Sequence, residues 1–391
     1  MNAINTSDLR PGQVFTAPVY TEGDYLLVAA QAPLRQKDID VLISWGIEFV
    51  KTEGSLEESL AELEELEEPE DNNQSDQEPL KFSISDVQEN SVSYRSYKNL
   101  IEKLNIVFSA LKSDDDIQMS TIDNICVELL KDLKDYPNNF VEYILGGEIT
   151  GNELAKSSVN TAILSAMTAQ ELKLPNHKIH NIVAGALLHD VGMLRLSKGI
   201  TEKKGGLSEA ELEQIKTHLG HTSNIVTKKL FGPKEVNLIA IQHHERWDGQ
   251  GYPDKLTGQA IDIGARIVSV ADAFEAMVSK KSYRNSLVGY QAIKNLMADN
   301  ARRFDPAVIM AFTKIIGIYP IGSIVQLNDN IIARVVNVHP NAPMRPVVQM
   351  LTDSRGKVLD PGKNSTVDLL ADKTLFIKHA IDPEEYAKKG K

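Results

Sequence analysis

Residues 243–253 read His-His-Glu-Arg-Trp-Asp-Gly-Gln-Gly-Tyr-Pro. The two histidines end an apolar stretch, Val236-Asn-Leu-Ile-Ala-Ile-Gln242. An acid, a base and a tryptophan follow, and then a glycine-rich turn closed by Tyr-Pro. An imidazole pair beside a tight loop suggests a metal site with a shaped mouth. Alone, two neighbouring histidines are more often surface or core residues than ligands. The decision rests on the residues around it.

Apolar residues recur at three- and four-residue spacing through nearly all of residues 83–320, and strand signals are scarce. Gly205-Gly206, Gly232-Pro233 and residues 249–253 punctuate this pattern as loops. Within it, Ala186-Leu-Leu-His-Asp-Val-Gly192 is an apolar helix ending in His189-Asp190. Adjacent side chains on a helix diverge by about 100°, so both can serve one cluster only if the helix unwinds there. The plainer alternative is a helix C-terminus, with Gly192 near the cap and His189 complementing the dipole. His218 follows in Ile215-Lys-Thr-His. Asp272 lies within Ile267-Val-Ser-Val-Ala-Asp-Ala-Phe, where burial is costly unless the carboxylate is paired or metal-bound. Glu153 starts a further helix, a position also favoured by the helix dipole. Imidazole and carboxylate ligands without thiolates favour Fe, Mn, Zn or Mg. Such clusters activate water and clamp phosphate oxygens, so phosphoester hydrolysis is the leading reaction class.

His189-Asp190, His218, His243-His244, Asp248-Gly-Gln-Gly-Tyr-Pro253 and Asp272 together resemble the HD-GYP family of HD phosphohydrolases, over residues 140–320. The resemblance implies an all-α HD-type domain that hydrolyses cyclic di-GMP to pGpG or GMP in bacterial signalling. It implies two or three divalent ions, with Fe or Mn favoured over Zn, Mg or Ni. The implied ligands are Glu153, His189, Asp190, His218, His243, His244 and Asp272, with Asp190 bridging. Asp190 and Tyr252 are the implied catalytic residues. Gly251, Tyr252 and Pro253 would line the substrate pocket, and the same loop would also make partner contacts. Arg246, Lys281 and Arg284 are candidates for phosphate or guanine contact. Four departures stand out. Ser157 replaces a usual histidine, Met193 a usual lysine and Glu275 a usual aspartate. Residues 281–285 read Lys-Ser-Tyr-Arg-Asn in place of Arg-Pro-Tyr-Arg-Lys. They leave two expectations: a phosphodiesterase weakened at Ser157 and Met193, or a degenerate module acting as a nucleotide receptor or protein-interaction platform.

The flanks differ from this helical centre. Residues 1–54 read as a small α+β regulatory or interaction domain, loosely similar to the domain that often precedes HD-GYP modules. Its cues are a turn and strand after Leu9, a strand at Tyr25, a helix from Asp38 to Gly46 and a strand from Ile47. Residues 55–80 read as an acidic linker. Between Glu57 and Glu78 there are eleven acids and no base, which accounts for all but one unit of the net charge of -12. The rest of the chain is close to neutral, with no basic face for a nucleic-acid duplex. Residues 321–380 alternate in a β-rich extension, and 381–391 form a tail. The single cysteine, Cys126, excludes an internal disulfide and fits a cytoplasmic setting. No signal peptide or membrane span is expected. Expected partners are cyclic di-GMP, signalling proteins docking on the GYP loop or the N-terminal domain, and a second copy in a homodimer.

Overall fold

The computed structural model describes residues 2–57, 91–279, 289–359 and 365–381, apart from 22–25, 43–48, 147–150 and isolated one- or two-residue gaps. Most of the helix expected at residues 38–46, nearly all of the acidic linker, and the tail lie outside the described residues. The chain forms two compact units. One joins residues 1–84 to residues 316–391, and the other comprises residues 85–315.

The second unit is helical. In order it contains α1 (Val92–Lys112), α2 (Met119–Asp135), α3 (Pro137–Gly146), α4 (Glu153–Glu171), α5 (Asn176–Leu188), α6 (Lys198–Thr201), α7 (Glu209–Lys216), α8 (His218–Asn224), α9 (Lys234–Gln242), α10 (Ile263–Val278), α11 (Gly289–Ala298) and α12 (Pro306–Ile316), the last of which reaches the unit boundary. Helix α4 is central because its sequence lets it be buried on nearly every side. Ala162, Ala166 and Ala169 are fully buried, as are Ser158, Thr161 and Ser165. Small side chains allow close helix approach, so α4 packs on both α5 and α10. Helix α10 starts at Asp262, whose carboxylate accepts from the Gly264 N–H at 2.7 Å. It then buries Ile267, Val268, Val270, Ala271 and Phe274. Helix α7 opens with a capping box: Ser208 and Glu211 each satisfy the other's backbone N–H. These stops matter because the histidines sit at helix ends.

The first unit is built on sheets. Strands β1 (Asn2–Asn5), β3 (Val19–Thr21), β4 (Leu26–Val28) and β5 (Phe49–Thr52) form an antiparallel sheet in the order β1-β5-β3-β4. Strands β2 (Val14–Phe15) and β6 (Leu56–Glu57) pair beside it. Leu9, Phe15, Val19, Leu34, Leu42 and Val50 form the core, and Met344 from the C-terminal segment packs against it. Strands β7 (Ile324–Leu327), β8 (Ile332–Asn337), β9 (Val347–Met350), β10 (Thr366–Asp368) and β11 (Ile377–Ile381) form an antiparallel sheet in the order β10-β9-β8-β7-β11. The alternation read after Pro320 therefore marks a five-stranded sheet over Val325, Leu327, Ala333, Val335 and Val348. The architecture is the expected one: a helical centre with strand-rich ends. Among the described residues no helix is long and apolar enough to cross a membrane.

Candidate metal centre

Four histidines of the helical unit stand at or just past helix ends. His189 caps α5, and the next residue leaves helical geometry (φ -106°, ψ 10°) to enter a 3-10 turn over Val191–Arg195. That break lets neighbouring residues face the same point. His218 is the first residue of α8, and His243 caps α9. In each of these three the ring Nδ1 lies 2.7 Å from the carbonyl oxygen three residues back, at Ala186, Ile215 and Ala240. A carbonyl only accepts, so Nδ1 carries the proton and Nε2 is turned inward. All three residues are at most 1% exposed, and none of the three Nε2 atoms has a hydrogen-bond partner.

The carboxylates close the cluster. Asp190 lies 3.5 Å from His189 Nε2, 3.3 Å from His218 Nε2 and 3.8 Å from His243 Nε2. Asp272, from α10, lies 3.6 Å from His189 Nε2. Two overlapping ligand groups result, Asp190/His218/His243/His244 and His189/His243/Asp272, each with its donor atoms within 4.8 Å of one another. They share His243. Burial pushes His244 down to about 4, so its ring is neutral at pH 7. Burial, then His244 and His189, also holds His243 well below its ordinary value. Burial would lower His189 too, but Asp190 and Asp272 outweigh it and raise it well above. Burial opposes ionisation of Asp190, yet His189, His218 and His243 keep it well below the usual carboxylate range. Buried imidazoles with the outer nitrogen donated to backbone and the inner one orphaned suit a divalent cation. The donor set fits metal.

Of the seven ligands expected from sequence, six converge here. Glu153 does not join either group, and it is exposed at the first residue of α4. Ser157 donates to the Glu275 carboxylate at 2.7 Å. Met193 is half-buried in the 3-10 turn. Lys281 and Arg284 lie outside the described residues.

The 243–253 loop folds over this centre. Glu245 is 3% exposed and accepts the backbone N–H groups of Asp254 (2.6 Å) and Leu256 (3.0 Å). Gly251 is packed on the chain it returns to, where a Cβ would lie 2.4 Å from Arg246 N. Tyr252 rests its ring 4.8 Å from that of His244, and Pro253 follows through a cis peptide. Burial, then Asp190 and Asp272, raises the Tyr252 phenol above its ordinary value, so it keeps its proton. Lys216 Nζ stands over the Tyr252 ring, 5.3 Å from its centre. A cleft of about 470 Å³ opens there, lined by Glu209, Leu212, Glu213, Ile215, Lys216 and Tyr252. Arg246 is committed within the loop, with bonds of 3.0 and 2.7 Å to the two oxygens of Asp248.

Sequence reasoning did not find Lys216, although it stands two residues before His218. Nor did it find Arg303, whose carbonyl receives the Trp247 N–H at 3.0 Å and whose cation partly offsets the rise at Tyr252. The Arg266–Asp305 pair (2.6 Å), with Asp305 buried, lies beside Trp247, the guanidinium 5.7 Å from the indole ring. Glu245→Ala should strip two backbone amides of their acceptor and cost about 2 kcal/mol. A lowered melting temperature, with proteolytic cleavage newly confined to residues 245–257, is the expected result.

The donor set and loop set the context for comparison with known proteins. Residues 148–308 match the family model described as "HD domain", and residues 324–389 match "KOW domain associated with HD domain". The helical unit contains an HD domain. The chain is 32% identical over 252 residues to "Cyclic di-GMP phosphodiesterase PdeB" of Borreliella burgdorferi, covering 63% of this chain and 64% of that protein. It is 31% identical over 212 residues to "Cyclic di-GMP phosphodiesterase PA4108" of Pseudomonas aeruginosa, covering 54% and 50%. It is 29% identical over 187 residues to "3'3'-cGAMP-specific phosphodiesterase 2" of Vibrio cholerae, covering 48% and 35%. The chain thus spans less than two thirds of the length of each of these relatives. The β-rich C-terminal segment is the KOW domain, which its alternating pattern alone did not identify.

Proposed function

We propose that the helical unit is a metal-dependent phosphodiesterase acting on a cyclic dinucleotide, with cyclic di-GMP as the favoured substrate and pGpG or GMP as product. One observation carries this reading. Three buried imidazoles present unpartnered Nε2 atoms to one point, beside two carboxylates. The two ligand groups suit two divalent ions, Fe or Mn, held by Asp190, His218, His243 and His244 and by His189, His243 and Asp272. Bound ions there would supply a Lewis acid for phosphoryl oxygens and lower the pKa of water. The chain's own residues do the rest. Asp190 faces both groups and orients whatever lies between them. Tyr252, held as the protonated phenol, can donate to a non-bridging phosphate oxygen. The loop braced by Glu245 and by Arg246–Asp248 shields the centre from bulk water. Lys216 and Arg303 bring positive charge to the Tyr252 side, while Arg246 is occupied by Asp248.

The relatives named as phosphodiesterases support this reading, and the cGAMP-specific relative keeps a mixed dinucleotide within the substrate class. A second reading has its own support. Ser157 brings a hydroxyl, bonded to Glu275, in place of an imidazole, and Met193 brings no cation, which suits a nucleotide receptor. Both readings place the protein in the cytoplasm, with signalling proteins or a second copy as further partners. The deciding experiment measures metal content and hydrolysis of cyclic di-GMP and 3'3'-cGAMP with added Mn²⁺ or Fe²⁺. Bound metal with turnover is the expected result. Bound metal and micromolar nucleotide affinity without turnover would establish the receptor.

A further inference from the structure

Behind Asp272 lies a buried carboxylate that the proposed chemistry does not use. Glu275 stands one turn further along α10, on the face that α10 shares with Asp272. It is 1% exposed. Among the described residues its partners are neutral donors on α4 and at the end of α10. Ser157 Oγ donates to Oε2 at 2.7 Å, Asn160 Nδ2 donates to Oε1 at 3.2 Å, and Ser279 Oγ donates to Oε1 at 2.5 Å. Asn160 is itself set by Tyr97 of α1, whose hydroxyl donates to Oδ1 at 2.6 Å. Tyr97 is fully buried, and its phenol is raised by burial and by Glu275, so it remains a donor.

Every bond in this chain runs toward the carboxylate. Tyr97 gives to Asn160, Asn160 gives to Glu275, and both serines give to Glu275. An acceptor-only carboxylate satisfies that polarity, whereas an amide would turn an NH₂ group toward donors. The network fixes α4 against α10 at the turn that carries Asp272, and ties both to α1. Ser157 and Glu275 are thus two ends of one bond, 118 residues apart in sequence. Ser157 would leave Glu275 under-satisfied if it were changed alone.

We infer that Glu275 is a positioning residue for the metal centre: through Ser157 and Asn160 it locks α4 to α10 and so holds Asp272 in place for the cation that His189 and His243 share. The inference rests on the proposed two-ion centre. It predicts an asymmetric effect, because the Asp190/His218/His243/His244 group draws nothing from α10. Loosening the clamp weakens one ion and spares the other.

The test is Mn²⁺ titration of the full chain, read by metal content after dialysis and by electron paramagnetic resonance, with melting of the metal-free protein as the control for folding. Wild type should bind two ions and show the spin-coupled signal of a close pair. Ser157→Ala and Glu275→Gln should each weaken one ion by about 10–100-fold, the range for loss of a group supporting a metal ligand. The coupled signal should give way to that of an isolated ion. Ser157→Thr keeps the hydroxyl and should bind both ions within about 2-fold of wild type, the rescue that a bulk packing effect would not produce. Two ions bound equally well by wild type, Ser157→Ala and Glu275→Gln would overturn the clamp and leave the centre standing. Equal weakening of both ions would also overturn it, since the effect would then be general. A wild-type chain that binds no ion would overturn the centre itself, and this inference with it.

Discussion

Asp190→Ala should empty the centre and abolish hydrolysis while leaving the helical fold in place. Asp190 stands within 3.3–3.8 Å of three imidazoles from three different helix ends. Its removal leaves their inward nitrogens with one anionic neighbour, Asp272, which approaches only His189 in this range. Loss of a group that merely supports a ligand costs roughly 10–100-fold in metal affinity, so loss of this carboxylate should exceed about 100-fold. Turnover should fall by on the order of 10³-fold, the scale of losing one stabilising contact in a phosphoryl or acyl transfer site. The side chain is 27% exposed at the end of a helix, so the change leaves no sealed cavity. Metal analysis and cyclic di-GMP hydrolysis measure the loss, with far-ultraviolet circular dichroism unchanged. Retention of both ions at wild-type affinity would show that the centre lies elsewhere.

Gly192→Ala should damage the same centre through the backbone. A Cβ on Gly192 would lie 2.0 Å from the carbonyl oxygen of His218 and 2.6 Å from the Thr222 N–H. Both belong to the backbone of α8, which cannot yield as the tip of a flexible side chain can. The 3-10 turn and α8 must therefore separate, taking His218 away from Asp190. The separation also weakens the bonds that Thr222 makes, accepting from Gly192 N at 3.0 Å and donating to His189 O at 3.2 Å. Overpacking of this kind costs about 3 kcal/mol. For a unit of this size that lowers the melting temperature by about 6–12 °C. Metal affinity should fall in parallel, because His218 is the displaced ligand. A variant that melts and binds metal like wild type would show that α8 is free to shift.

The helical centre was legible because apolar spacing is a local signal, and the sequence carries it from Leu100 to Ile316. The donor types were legible for the same reason: His189 and the His243-His244 pair each end an apolar run, and Gly192 and Gly251 mark the breaks that turn side chains inward. Residues whose meaning depends on register between distant helices were not legible. Ser157 and Glu275 read as two separate departures, and only the packing of α4 on α10 joins them. Glu153 carried the right residue type at a helix start, yet the helix end it occupies is exposed. Arg246 looked like a free cation because nothing in the linear order shows that the loop folds Asp248 back onto it. Lys216 and Arg303 became visible only when the loop was seen to lie against α7 and the 299–304 turn. At the C-terminus the alternation gave strands, but strand order and the joining of both chain ends into one unit depend on pairings between distant segments.

The three imidazoles that bond backward to a carbonyl three residues earlier have an aim that does not depend on the side chains around them. In many metal sites a neighbouring acid fixes the tautomer, and drift at that acid detunes the ligand. Here the orienting groups are main-chain carbonyls, which no substitution can delete. Sequence change can reshape the cleft and the loop, and so alter which nucleotide is taken or how fast it is cut, while the three imidazoles keep their aim. A change reaches these imidazoles only through the backbone that carries them. Divergence in substrate with constancy of metal is the evolutionary pattern this wiring permits.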